Sequence, residues 1–204
     1  MSKHQSSQKW LARQNRDVYT KLAKEKKYLS RAAFKLWDIN KKYNLLSGAR
    51  NILDLGCSPG SWLQCIKEHG NQRSTVIGVD LKSTAKISGV VTLKGDFTDI
   101  DMQSKILSQI QGKFDLICSD MSPQTTGNKS MDHLRSLQLV KSVFDFACEA
   151  QQKQGNLILK IFQGERISDF VKELKNRYGK VSYFKPASSY QDSKELFIIA
   201  QKLQ

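Results

Sequence analysis

The sequence predicts an α/β fold in which a mostly parallel sheet is wound with helices on both faces, and three observations carry that prediction. From Asn51 onward, short aliphatic runs alternate with stretches whose apolar residues recur at helical spacing, the pattern of strands linked by crossover helices. The strand-like runs are almost continuously apolar, as expected where both faces of a sheet are covered. The last two runs are joined by too few residues for a helix, so they should pair antiparallel as a hairpin at the end of the sheet. Seven strands result, mostly parallel, with the last one antiparallel.

The elements follow in chain order. Residues 7 to 27 carry Trp10, Leu11, Val18 and Leu22 amid charge, which predicts a surface helix with one docking edge. Ser30 is a good N-cap for a more apolar helix that runs from Arg31 to about Tyr43. Asn44 to Arg50, with Gly48, is the connection. Strands are expected at Ile52–Leu55, Thr75–Asp80, Val90–Leu93, Phe114–Cys118 and Asn156–Phe162, and the closing hairpin at Val181–Lys185 and Glu195–Gln201. Between them, Trp62 with Ile66, the set Leu134, Leu137, Val140, Phe144 and Cys148, and the set Phe170, Leu174 and Tyr178 recur at helical spacing. No repeat, low-complexity tract or second core is present. Residues 1–50 therefore read as a basic helical extension packed on the core, and residues 51–204 as the α/β domain.

Composition narrows the function classes. A chain of 204 residues is expected to fold as one domain, burying roughly 70% of the surface its unfolded form exposes. The longest unbroken apolar run is the five residues Leu196–Ala200, against about 20 for a membrane span, so no membrane partner is expected. Four cysteines (Cys57, Cys65, Cys118, Cys148) form no C-x-x-C pair and the three histidines lie far apart. Neither a zinc ribbon nor a disulfide framework is indicated, and a reduced cytoplasmic setting fits best. Asp115, Asp120 and Asp132 are too scattered to imply a metal. The 33 Lys and Arg exceed the 19 Asp and Glu by 14. Residues 1–50 hold 13 of the bases and only the acids Asp17, Glu25 and Asp38. A polyanion is the natural partner of such a block. It has no apolar h-region, so no secretory signal is expected, although an acid-poor, basic start also matches an organellar transit peptide.

In a sheet of this kind, ligands bind beyond the C-terminal ends of the strands, near the point where strand order reverses. The first strand ends in Asp54-Leu-Gly-Cys-Ser-Pro-Gly60-Ser-Trp62, whose glycines four apart let the backbone pass close to a ligand. It lacks the G-x-G-x-x-G fingerprint of pyrophosphate binders. The second strand ends in Asp80, placed to accept from ribose hydroxyls. A nucleoside without a pyrophosphate satisfies both features, and S-adenosyl-L-methionine is such a molecule. The third unit ends in Gly95-Asp96-Phe97, where Asp96 either accepts from an adenine amine or caps a helix. The fourth delivers Ser119-Asp120-Met-Ser-Pro123. The fifth carries Lys160 inside an apolar run, an expensive placement unless the amine is paired, functional or able to snorkel.

At these residues the chain resembles the FtsJ (RrmJ, RlmE-type) family of heat-shock ribosomal RNA large-subunit 2'-O-ribose methyltransferases. The resemblance runs from the Trp10-Leu11 region to the last strand. It rests on Ser30-Arg-Ala-Ala-Phe-Lys-Leu36, Asp54-Leu-Gly56 with Pro59-Gly60 and Trp62, Gly95-Asp-Phe97, Ser119-Asp-Met121 with Pro123, Lys160-Ile-Phe-Gln-Gly164 and Lys194-Glu-Leu-Phe-Ile-Ile-Ala200. It implies a Rossmann-like S-adenosylmethionine-dependent fold and a catalytic tetrad on Lys35, Asp120, Lys160 and Glu195, with Lys160 as the proton acceptor. Cofactor contacts would fall on Gly60, Trp62, Asp80, Asp96 and Asp120. The implied partner is ribosomal RNA or the large ribosomal subunit, acted on by a monomer. Cys57-Ser58 and Ser61 stand where relatives often carry Ala-Ala and Gly, and the loop Gln124–Ser130 departs from the usual one, which bears on target choice.

The expected reaction is in-line methyl transfer to a 2'-oxygen held about 3 to 3.5 Å from the methyl carbon. A lysine base must be neutral, whereas an unperturbed one is neutral only about once in a few thousand at pH 7. Lys160 therefore either accepts the proton after its environment shifts it, or stays charged and stabilises the developing oxyanion. The leading reading is methylation of a uridine ribose in the A loop of 23S ribosomal RNA. The alternatives are another RNA (a tRNA anticodon loop, mitochondrial ribosomal RNA) or a non-catalytic RNA-binding assembly factor on the same fold.

Overall fold

Strand pairing runs in the order β3-β2-β1-β4-β5-β7-β6 across a single sheet in the computed structural model, which describes residues 17–190 and 192–204. The strands are β1 (Asn51–Leu55), β2 (Thr75–Asp80), β3 (Val90–Lys94), β4 (Phe114–Ser119), β5 (Gln151–Phe162), β6 (Tyr178–Phe184) and β7 (Glu195–Leu203). The first five pair in parallel, and β7 enters antiparallel between β5 and β6. The expected fold class and its antiparallel last strand are thus present. Strand order reverses between β1 and β4, so the ends of these two strands, at Leu55 and Ser119, open the crevice where such sheets bind ligands.

Among the described residues the helices are α1 (Val18–Glu25), α2 (Ala33–Tyr43), α3 (Ser61–His69), α4 (Ile100–Leu107), α5 (Lys129–Ala150) and α6 (Ile167–Lys175). On one face, Leu36 and Ile39 of α2 and Trp62, Leu63 and Ile66 of α3 pack against Ile52, Val76, Leu116, Ile158 and Phe197. On the other, Ile106, Val140, Phe144, Phe170 and Leu174 pack against Leu53, Ile77, Ile117 and Leu159. Neighbours along each strand go to opposite faces, which is why the runs read as unbroken apolar stretches. The helix α2 is thus part of one core with the sheet. Among the described residues no helix is long and apolar enough to cross a membrane.

Several boundaries differ from the sequence expectation. Of the predicted helix over 7–27, Trp10 and Leu11 lie outside the described residues and the described portion is α1, capped by Asp17 accepting from the Thr20 N–H at 3.1 Å. Ser30 does not cap α2 directly. Its hydroxyl accepts from the Ala32 N–H at 3.2 Å within a preceding turn, and the helix starts at Ala33. Tyr178 belongs to β6, not to the helix before it, because α6 stops at Lys175 and the Tyr178 hydroxyl reaches Gln151 at the start of β5. β5 begins five residues earlier than expected, with a register shift against β4 and Gln154 in a left-handed conformation. The helix α4 has no counterpart in the sequence pattern; its first residue, Ile100, is exposed and only Met102 and Ile106 reach the core.

Candidate active site

The crevice beyond β1, β2 and β4 is a cavity of about 830 Å³. Gly56, Ser58 and Pro59 line it after β1; Gly56 has φ +79, and a Cβ there would meet the Met121 backbone N at 2.8 Å and Cα at 2.9 Å. Only glycine lets the two loops approach this closely in that conformation. Asp80, at the end of β2, lines the cavity and accepts from the Ser58 N–H at 3.0 Å and the Lys82 N–H at 2.8 Å, so it fixes both loops beside it. Asp96 lines the cavity while its Oδ1 accepts from the Thr98 N–H and hydroxyl at 2.9 and 2.7 Å. The local turn and the cavity position therefore coexist in one residue; the N-cap of α4 is Asp99.

Asp120 joins this cavity to a chain of charged side chains drawn from four elements. Its Oδ1 lies 3.0 Å from Lys160 Nζ and 4.0 Å from Lys35 Nζ, and Lys35 Nζ lies 2.7 Å from Glu195 Oε2. Lys160 Nζ also donates to the Asp120 carbonyl oxygen. Lys160 and Glu195 are each only 8% exposed, so these are enclosed contacts and not solvated surface pairs. Strand register explains how they meet: Lys160 lies opposite Phe197 and Phe162 opposite Glu195, which puts both functional side chains on the face covered by α2 and α3. Burial alone would lower the pKa of Lys35, but Asp120 and Glu195 outweigh it and raise it, so Lys35 is a cation through the neutral range.

Two residues expected at the cofactor, Gly60 and Trp62, are not among those that line this cavity. Trp62 is buried, donates Nε1–H to the Ala32 carbonyl at 2.8 Å and lies against Phe197 with ring centroids 5.9 Å apart. Since Phe197 is opposite Lys160, the indole backs the apolar floor under the two lysines. Gly60, with φ +122, leads into α3, and a Cβ there would meet Ile87 at 3.0 Å and Leu29 at 3.1 Å. It sets the path of the loop instead of lining the cavity.

The cavity also holds residues that no sequence motif marks. Leu81 follows Asp80 and is 64% exposed, an apolar side chain presented where a nucleoside base would lie. Arg135, Gln138 and Ser142 also line the cavity. Asp54, next to the last residue of β1, is fully buried and neither carboxyl oxygen has a hydrogen-bond partner. Burial, with the charges of Asp120 and then Asp80 adding, raises its pKa well above the usual carboxylate range. Its neighbour Cys57 is pushed up to about 12, chiefly by burial, so the departure at this position adds no reactive thiol. Among the described residues no group of three or more His, Cys, Asp or Glu is arranged to hold a metal.

Carboxylates at three strand ends and an exposed apolar side chain suit a cationic nucleoside. Asp80 and Asp120 both line the cavity, and carboxylates of this kind suit the hydroxyls and the cationic group of S-adenosylmethionine. A family model described as FtsJ-like methyltransferase matches residues 28–203. The chain is 41% identical over 195 residues to a protein of Acidiphilium cryptum named ribosomal RNA large subunit methyltransferase E, covering 96% of this chain and 86% of that one. A protein of the same name from Methanocaldococcus jannaschii is 39% identical over 199 residues, covering 95% and 81%. The crystal structure of a protein described as a ribosomal RNA methyltransferase from Plasmodium falciparum superposes with a TM-score of 0.77 at 30% identity, covering 86% of this chain and 98% of that one.

Proposed function

Because this chain belongs to the FtsJ-like methyltransferase family, we propose that it transfers the methyl group of S-adenosylmethionine to a ribose 2'-oxygen of large-subunit (23S) ribosomal RNA, at a uridine of the A loop. The observation that carries this reading is the enclosed amine of Lys160, presented from a strand interior and held by Asp120 at the edge of the cavity. The names of the relatives support the RNA class.

When bound, S-adenosylmethionine supplies an electrophilic methyl carbon and leaves as a neutral thioether. Asp80 and Asp120 hold that donor, and Gly56, Ser58, Pro59 and Leu81 shape its place. Lys160 acts as the neutral amine, whose lone pair takes the 2'-hydroxyl proton as the oxygen attacks, and the ammonium so formed is held by Asp120. Lys35, kept cationic by Asp120 and Glu195, stabilises the negative charge that develops on that oxygen. On α1 and its flank, Lys24, Lys26 and Lys27 are exposed and suit phosphate contacts.

Methylation of ribosomal particles with labelled donor, followed by mapping of the modified nucleotide, tests the reading. The expected product is a single alkali-resistant 2'-O-methyl linkage in the A loop; label on a base, or elsewhere in the RNA, rejects it. Replacing Lys24, Lys26 and Lys27 by Glu should weaken RNA binding and flatten its salt dependence by about 0.7 to 0.9 log units for each phosphate no longer neutralised. Donor affinity should not change.

A further inference from the structure

The segment that leaves Asp120 is unlike the other walls of the cavity. Asp80, Asp96 and Asp120 make the strand-end side acidic, whereas Met121 to Gln124, which line the cavity after Asp120, carry no acid; the polar run Gln124-Thr-Thr-Gly-Asn128 continues from there, with Lys129 after it and Arg135 back on the cavity. The N-terminal turns of α5 grip this run. Asp132 Oδ1 accepts from the Thr126 N–H at 2.6 Å and its hydroxyl at 2.9 Å, and Oδ2 accepts from the Gly127 N–H at 3.2 Å. Arg135 donates to the Gln124 carbonyl at 3.2 Å, and Asn128 caps the helix through the Ser130 and Met131 N–H groups. The Thr126 N–H, chief among these contacts, holds the Asp132 carboxyl below the usual carboxylate range. Another side of the same turns grips the exit of β5: the His133 ring pairs with the Phe162 carbonyl at 2.9 Å, and the Ser136 hydroxyl accepts from the Phe162 N–H at 3.1 Å. One helix start thus braces the segment after Asp120 and the strand that carries Lys160.

We propose that Asp132 and Arg135 are positioning residues that hold Gln124–Asn128 as the acceptor-side wall of the site, against which the target nucleotide of the RNA docks. The inference rests on the methyl-transfer reading above. Its ground is charge and attachment. A cationic donor is served by the carboxylates across the cavity, while amides, hydroxyls and a guanidinium suit a polyanionic acceptor. The wall begins at Asp120, so whatever it seats lies beside Lys160.

The test separates RNA binding from donor binding and from chemistry. In Asp132→Ala, the KM for ribosomal RNA should rise about tenfold or more, with kcat within about threefold and donor Kd, by calorimetry, within about twofold. Arg135 also lines the cavity, so Arg135→Ala is read by equilibrium RNA binding alone, which should weaken in the same direction and less strongly. Asp132→Asn keeps an oxygen that accepts from Thr126 and should recover most of the loss, as should Arg135→Lys. An unchanged KM overturns the proposal. So does a donor Kd that weakens in step with KM, which would assign the wall to the donor. Equilibrium binding of the same RNA, which needs no turnover, separates failure of the proposal from failure of the reaction. An inactive wild type whose RNA affinity still falls in Asp132→Ala rejects the reaction and keeps the wall. An active wild type matched by its variants rejects the wall.

Discussion

The cavity at the ends of β1 to β4 is lined by short runs that follow the strands, with Gly56, Ser58 and Pro59 after β1 and the acids Asp80, Asp96 and Asp120 at the ends of β2, β3 and β4. The ion chain beside it is made of side chains brought together over long separations; Lys35 and Glu195 are 160 positions apart. The first region is set locally, by which residues follow a strand. The second exists only once β7 has inserted beside β5 and α2 has docked on both. Substitution in the two regions should therefore fail differently: the cavity through backbone fit and donor affinity, the ion chain through turnover.

The largest effect expected is at Lys160. Lys160→Ala removes the proton-accepting amine and should lower kcat by roughly 10²- to 10⁴-fold, the usual range for a general base, with donor Kd little changed. Far-ultraviolet circular dichroism should match the wild type, because Asp120 keeps Lys35 as a partner. If donor affinity fell as far as kcat, the two regions would be one, and the comparison would break.

A smaller effect, on the other side of the comparison, is expected at Gly56. The added methyl of Gly56→Ala would press on the Met121 backbone, which cannot swing aside like a long side chain, in a conformation L-residues rarely adopt. Strain of about 1 to 3 kcal/mol should appear as a lower Tm and as donor affinity weakened about tenfold. Single-turnover rates at saturating donor should stay near wild type. A kcat loss at full donor occupancy would show that the loop also sets the geometry of Lys160.

The same division decides what can be read from the sequence. The strands β1, β2 and β4, the acids that end them and the Gly56 loop are visible because strand periodicity and turn chemistry are local. Trp62 lies on the cavity motif by sequence, yet its ring turns to Ala32 and Phe197, since helix α3 must bury one face and that face points away from the cavity. Tyr178 sits four residues after Leu174 and so continues a helical pattern, but spacing cannot show that the helix has ended; the sheet edge takes the residue. Lys160 stands out as a lysine in an apolar run. Nothing local to Lys35 or Glu195 announces their pairing, which comes only through the family resemblance. Asp54 is legible as part of a motif, while its complete burial belongs to the assembled sheet, where it lies between Gly78 of β2 and Cys118 of β4.

Asp54 gives the finest test of the cavity, because its cost should show in stability. Its pKa in the fold is raised, by burial first and then by Asp120 and Asp80. The fold therefore binds a proton that the unfolded chain releases near the ordinary value of 3.8. For a raised group the sign is fixed: the stability is fully present below the unfolded pKa and is lost as pH rises toward the folded one. While the carboxyl stays protonated only in the fold, the loss is at most about 1.4 kcal/mol per pH unit. Asp54→Asn keeps the shape and removes the proton. Its urea stability should match the wild type near pH 4 and exceed it increasingly toward pH 7. Parallel stability curves over that range would mean that Asp54 is ionised in the fold. The cavity would then hold that charge by interactions other than the ones described above.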